Sequence, residues 1–573
     1  MIRLKKMLAL AIAVVMVLCT MNLGVFAAPG DLTPDQSITI TGLDEGDVVH
    51  LYQVLVWEDS VGWRLNGGEQ GAYASLLSNA NIKKLIDNDA NNGNPVELTK
   101  ADVDAVATAA KNGGTEIDTS DALTGDTYTF TATTPGMFLA LVTPGKAGVV
   151  YNPIIVSADF SATPNTSEID ASNAVMGETA VAKKKKITVD KHGEVMDEVI
   201  DETATEEEKI VAESTHSVGD IVKFTIETQI PAYSDAYTNP TFTVTDTLTN
   251  GLKIVVDDEH EFSVSSGSVT YTGDPADGDT SFTLTFTSAD IAALLDYQDV
   301  VIEYYAIIGS EAVSNVNEME NTVEVEFSND PHDDTSKGKI KDKTKHYTFT
   351  IDGELLGEEG FRVIELLKVG KNADGTDAIE EIEISNGTMA AALDGALFGL
   401  YKTPEGAEAE DDNDLYTNDI FNGKVETAMG GLLVIQGLDA GTYYLKELDA
   451  PDGFIRDTGV YEIVIDADIV DEETTEVIDG YEVTYSVPVL KGYTITINGT
   501  DVTKETTYTA SITGSETLEV IEPEESTTEI ANTKGVELPA TGGMGTTIFY
   551  VIGTILVLGA GILLVTRRRM NVN

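Results

Sequence analysis

Lysine, a carboxylic acid and asparagine recur in that order at positions where strand alternation points them inward. In ITVDK, Ile187, Val189 and Lys191 share one face; in FTVTD, Phe242, Val244 and Asp246 do. In VEVEFSN, Val323, Val325, Phe327 and Asn329 share a face, and Asn321 has the same parity. The pattern returns further on: Ile364, Leu366 and Lys368 in IELLK, then Tyr443, Leu445 and Glu447 in YYLKE, then Ile530 and Asn532 in EIAN. Lys371 is a rival to Lys368 in the second set.

Burying a charged amine or carboxylate costs several kcal/mol even when the two are paired, so two inward sets of this kind need a reason. In an apolar core the lysine pKa falls and the acid pKa rises, which leaves a neutral amine beside a protonated carboxyl. The amine can attack the asparagine side-chain amide while the acid polarises the carbonyl and passes protons to the departing ammonia. The product is an internal Lys–Asn isopeptide, made once and without turnover.

The elements that must position these residues are strands. Proline is scarce (16) and glycine plentiful (51), and runs of alternating Thr, Val, Ile and Tyr are separated by turn dipeptides. The reading is all-β: immunoglobulin-like sandwiches in tandem. Residues 28–180 form a first unit whose middle is helical, since Thr99-Lys100-Ala101-Asp102 makes a capping box and YASLLSNANIKKLI has helical spacing. Residues 181–335 form a second unit with an acidic insertion, DEVIDETATEEEKIVAE, expected as a loop or short helix. Residues 336–537 form a third, longer than one sandwich needs, with added strands between Phe454 and Ile530.

The two ends read as processing signals. Arg3, Lys5 and Lys6 precede an apolar stretch and the small residues Ala27 and Ala28, the pattern of a secretory signal peptide spanning 1–27. Residues 538–573 hold Leu538-Pro539-Ala540-Thr541-Gly542, an apolar run from Ile548 to Val565 and the cluster Arg567, Arg568, Arg569. A run of that length spans a bilayer, and the arginines hold its end on the cytoplasmic side. The formal net charge is -62, and the only charged residues lost with both ends are basic, so nucleic acid and anionic lipid are poor partners for such a surface and no nucleic acid is expected. The one cysteine, Cys19, falls in the signal peptide, in an apolar run without a lipobox; the exported part can form no disulfide.

The pentapeptide before a membrane anchor resembles the Gram-positive cell-wall sorting signal. That resemblance implies that a sortase cysteine attacks the Thr541 carbonyl, cutting between Thr541 and Gly542. GTYYLKELDAPDGF, with LDGALFGLYK before it and EIANTKGVELPATGG after, resembles the Cna B-type domain, and GDIVKFTIETQIPAYSDAYTNPTFTVTDTLTNGL with NTVEVEFSNDP resembles the isopeptide-forming domain of fimbrial backbone pilins. The chain thus resembles a sortase-assembled major pilin. The resemblance implies one bond from Lys191, Asp246 and Asn329 and another from Lys368, Glu447 and Asn532. It also implies a lysine between the first two units that joins Thr541 of another copy. The usual Tyr-Pro-Lys motif is missing, and the run Lys183, Lys184, Lys185, Lys186 stands in its place, with Lys183 favoured.

The implied partners are sortase, further copies of the chain, accessory pilins, peptidoglycan and an unidentified host surface. A monomeric wall-anchored adhesin and an accessory pilin are the alternatives; an enzyme is not expected. No cofactor or metal is expected either. Asp87, Asp89 and Asn91 have calcium-loop spacing, but Gly93 falls one place late and no closing glutamate follows; Asp411, Asp412, Asn413 and Asp414 read as a solvated loop. No histidine pair has ligand spacing, and there is no nucleophile elbow or phosphate loop.

Overall fold

The computed structural model describes residues 36–58, 62–86, 98–158, 178–196, 205–249, 251–310, 316–352, 364–385, 388–503, 505–509, 517–521, 527–535 and 554–558. The expected signal peptide, the 87–97 loop, the sorting pentapeptide and the arginine cluster lie outside them. Of the expected membrane-spanning run only residues 554–558 are described, as a short helix. Among the described residues no helix is long and apolar enough to cross a membrane.

The first unit is organised by the apolar strand Gly136–Thr143, GMFLALVT, nearly all of it buried. A strand apolar on both faces must be covered on both. On one side lies the three-stranded sheet containing Gln36–Thr41, which packs Ile38 and Ile40 against Phe138, Ala140 and Val142. On the other lie the helical segments, with Ile82, Leu85 and Val106 against Leu139 and Leu141. Lys100–Lys111 begins with the expected capping box: Asp102 N–H bonds the Thr99 side chain, and the Asp102 carboxylate takes the Thr99 backbone N–H at 2.7 Å. YASLLSNANIKKLI is not one helix. It divides at Asn79 into a 3-10 turn, Ala74–Ser78, and a helix, Ala80–Ile86, because the Asn79 side-chain Oδ1 accepts the N–H groups of Asn81 and Ile82 (3.0 Å each) and caps a new helix end.

In the second unit a sheet of Val189–Val195, Ile221–Ile230, Gln298–Ile308 and Leu252–Val255 faces another built around Phe242–Leu248 and Val316–Ser328. Ile221–Ile230 shows the reason in its burial, with every second residue inward. The acidic insertion supplies a helix, Glu206–Ser214, started by a Thr205/Glu208 capping box.

The chain does not leave this sheet at the expected border after 335. Lys337–Ile351 pairs with Val316–Ser328 along that strand's whole length and then, at Phe349 and Ile351, with Ile435–Leu438 of the third unit. One strand therefore belongs to both sandwiches.

The third unit pairs Leu366–Lys371 in parallel with Thr528–Lys534, so its first and last strands are neighbours. Facing them is a sheet containing Leu397–Tyr401, Gly441–Asp449, Val460–Ile478 and Tyr481–Ile497. The last two account for most of the expected added strands, and they form one long hairpin. Its turn is Asp479-Gly480, with φ of 51° and 90°; two adjacent positive φ values make the turn whose twist suits a hairpin. The far half leaves the third sandwich and lies along Lys337–Ile351, where Lys341 pairs with Glu476 at 2.5 Å and Lys339 with Asp479 at 3.3 Å. Val483, Tyr485 and Val487 close over Ala147 of the first unit, and the Tyr481 hydroxyl donates to Pro144 O at 3.2 Å.

Candidate functional site

Each of the second and third units holds a lysine, an acid and an asparagine with no exposure to solvent worth counting. In the second unit Lys191 comes from the edge strand Val189–Val195 and faces inward opposite Ile226. Its amine makes a short ion pair with the Asp246 carboxylate; both side chains are fully buried. The Tyr304 hydroxyl sits among them: it accepts from Lys191 Nζ (2.8 Å) and from Asn321 Nδ2 (2.7 Å), and donates to Asp246 Oδ1 (2.8 Å). The Asn321 side-chain oxygen is buried and has no hydrogen-bond partner. Phe224 lies 5.2 Å from the amine and stacks on Tyr304, and Phe282 meets Tyr304 edge-on, so the cluster is walled by rings.

Burial dominates the electrostatics. It lowers the Lys191 pKa despite the opposing pull of Asp246, and it raises the Asp246 pKa despite Lys191 and Tyr304. Both directions move the proton from amine to carboxyl, which leaves the amine nucleophilic.

Asn329, expected in this set, is not there. The strand register puts Asp246 opposite Val323, with Asn321 opposite Leu248. Asn329 is six residues further along from Val323, about 20 Å at strand rise. It is buried instead where the second unit meets the first: Ser336 Oγ donates to its side-chain oxygen at 3.0 Å, and its backbone oxygen accepts from Tyr237 OH at 3.2 Å. Parity is shared by both asparagines; position along the strand separates them. Tyr304 was missed altogether, although its inward parity with Val300, Ile302 and Ala306 was a signal, since a buried tyrosine hydroxyl needs a partner.

In the third unit the structure brings Lys368, Glu447 and Asn532 together. Lys368 Nζ is 3.2 Å from Glu447 Oε2, and Asn532 Nδ2 donates to the same oxygen at 3.1 Å and to Ile455 O at 2.6 Å. The Asp457 backbone N–H also donates to Glu447 Oε2, at 2.7 Å. Glu447 Oε1 and the Asn532 side-chain oxygen have no partner. Burial lowers the Lys368 pKa against the attraction of Glu447. Lys371 stands outside, paired with Asp377 (2.9 Å) and Glu529 (3.4 Å).

The lysine run lies at the junction of the first two units. Lys184–Lys186 is a strand on Val149–Tyr151. Lys184 pairs with Asp44 at 2.5 Å, and Lys185 lies 3.9 Å over the Tyr297 ring with its pKa lowered by burial. Lys183 and Lys186 are exposed, and neither amine has a partner among the described residues. The acidic stretch at 411–414 is taken up by its own turn, with the Asp411 carboxylate accepting Asn413 N–H at 3.0 Å and the Asp414 carboxylate accepting Thr403 N–H at 2.9 Å.

Comparisons with known proteins bear on the fold and on the C-terminal segment. Residues 531–572 match the LPXTG cell wall anchor motif, and residues 381–480 match a prealbumin-like fold domain. The T6 backbone pilin of Streptococcus pyogenes serotype M6, a modular three-domain structure, superimposes with a TM-score of 0.52 at 17% identity, over 88% of this chain and 99% of that one. The chain has the fold of a backbone pilin. In sequence it is 26% identical over 484 residues to the trypsin-resistant surface T6 protein of S. pyogenes serotype M6, covering 77% of this pilin-fold chain and 81% of that protein. With the anchor motif at its end, it is a cell-wall-anchored surface protein.

Proposed function

We propose that the exported chain is the repeating shaft subunit of a covalently assembled surface pilus. Sortase breaks the Thr541–Gly542 bond, and the Thr541 carbonyl passes to a lysine of another copy. Lys183 is favoured, because it is exposed and unpartnered while Lys184 and Lys185 are engaged; Lys186 is the second choice. Peptidoglycan is the final acceptor, accessory pilins are further partners, and adhesion to a host surface is the role such a fibre serves.

The observation that supports the shaft reading most is the pair of buried clusters. In the second unit the neutral Lys191 amine attacks the Asn321 side-chain carbon, the carbon–nitrogen bond of the amide breaks, and ammonia leaves carrying the proton given up by the amine. Amine plus amide gives a secondary amide plus ammonia. Asp246 holds the proton in between, and Tyr304, bonded to all three groups, aligns them. Lys368, Glu447 and Asn532 do the same in the third unit. The covalent product removes the cost of keeping a buried amine and carboxylate apart from water.

The test is denaturing electrophoresis and immunoblotting of cell-wall extracts from wild type and from a variant with Lys183 to Lys186 all changed to alanine. A high-mass ladder that collapses in the variant is expected. A single wall-linked band in both would make the chain a monomeric adhesin.

A further inference from the structure

Two histidines far apart in the chain meet at the junction of the first two units. His50, on Val48–Glu58, and His332, just beyond Val316–Ser328, stack with ring centres 3.7 Å apart and planes within 2°. Between them stands Glu116, whose two oxygens lie 3.2 Å from His50 Nδ1 and 2.9 Å from His332 Nε2. The three ligating atoms fall within 4.8 Å of one another.

The hydrogen bonds around the cluster decide how His50 is protonated. The Thr143 hydroxyl spends its one proton on Asp330 Oδ2, at 2.6 Å. It can therefore only accept from His50 Nε2, 3.1 Å away, which places a proton on that nitrogen. In the neutral ring Nδ1 is then a bare lone pair, and it faces a carboxylate oxygen, which can only accept. Two acceptors in contact need a positive centre between them, either a second proton on His50 or a metal ion.

We propose that His50, Glu116 and His332 bind one divalent transition-metal ion of the zinc class, which fastens the first unit to the second. Two imidazoles and a carboxylate are the donor set that such an ion takes, with water in a fourth position. The Thr143 bond to the far nitrogen of His50, and the Thr119 and Tyr52 bonds to Glu116 (2.6 and 3.1 Å), are the outer supports that orient ligands in metal sites. Elsewhere the junction carries charge pairs such as Lys111–Asp334 at 2.6 Å and apolar packing, with Val150 in the second unit's core and Ala236 in the first unit's, and the exported part has no cysteine with which to bridge it. Neither histidine suggests the site in sequence, because the ligands come from opposite ends of two domains.

The test is calorimetric titration of the purified exported protein, stripped with chelator, with Zn2+ alone at neutral pH, alongside H50Q, H332Q and E116Q. Circular dichroism checks that each variant is folded. Binding of about one ion per chain is expected, with affinity lost in each variant by more than the roughly 10- to 100-fold that losing an outer support costs. Melting should rise with Zn2+ in the wild type only. Absence of binding, or equal binding in folded H332Q, would overturn the proposal.

Discussion

Changing Asn321 to alanine separates the proposed chemistry of the second unit from every neighbouring explanation. If Lys191 and Asn321 are joined, the wild-type protein is lighter than its sequence by one ammonia for this unit, and Asn321→Ala restores that mass. The bond closes a loop from 191 to 321, somewhat longer than the 100-residue case for which chain entropy gives about 4.7 kcal/mol, so ~5 kcal/mol of stability is at stake. Lys191 and Asp246 still pair in the variant, so no uncompensated charge adds to the loss. For a unit of this size ~5 kcal/mol lowers the melting transition by about 10–20 °C. Asn329→Ala is the control: it shares the strand parity but bonds Ser336, and should leave the mass deficit unchanged. Intact-mass spectrometry reads the bond and calorimetry reads the transition. A deficit that survives Asn321→Ala and disappears in Asn329→Ala would refute the assignment.

Tyr304→Phe keeps the ring packing and removes the hydroxyl that touches Lys191, Asp246 and Asn321, so ammonia loss from newly synthesised protein, followed by intact mass, should slow by about 100-fold or more; closure at the wild-type rate would make the hydroxyl a bystander. Asp342 gives a pH dependence: burial pushes its pKa from 3.8 up to about 7, even though its carboxylate accepts the Lys191 backbone N–H at 2.7 Å. The folded state then holds a proton that the unfolded chain releases. This contribution is complete at low pH and is lost as pH rises from about 4 to 7. Asp342→Asn should flatten that decline, worth up to ~4 kcal/mol, in denaturant titrations taken across this range; an unchanged slope would contradict it.

Much of the fold is legible in the chain because alternation and turn residues are local. Val189, Lys191, Val244 and Asp246 show their faces without help. The long hairpin is visible as alternating runs about Asp479-Gly480. Its destination is not, since nothing local says that Val483 and Tyr485 will settle on Ala147. The joint between the second and third units is hidden for a related reason: Lys337–Ile351 reads as any strand would, and only its partners reveal that it serves two sheets. A period of two also cannot choose between Asn321 and Asn329, because every even shift preserves the face. Register chooses, and register is set by the whole sheet. The His50, Glu116 and His332 cluster is the extreme case, assembled from segments that share no local pattern.

The parallel pairing of Leu366–Lys371 with Thr528–Lys534 has a consequence for a pulled fibre. Let tension enter at Lys183 and leave at Thr541. With the proposed bonds closed, the pull runs from 183 to Lys191, crosses to Asn321, follows the backbone to Lys368, crosses to Asn532 and exits. Residues 192–320 and 369–531 are short-circuited and feel no pull along their backbone. Between the two bonds the backbone under tension is the stretch 321–368, and its longest described element is the Lys337–Ile351 strand that both sandwiches share and the long hairpin lies against. In such a fibre the load between the two bonds is carried by a strand that is already extended, while residues 192–320 and 369–531 stay outside the load path.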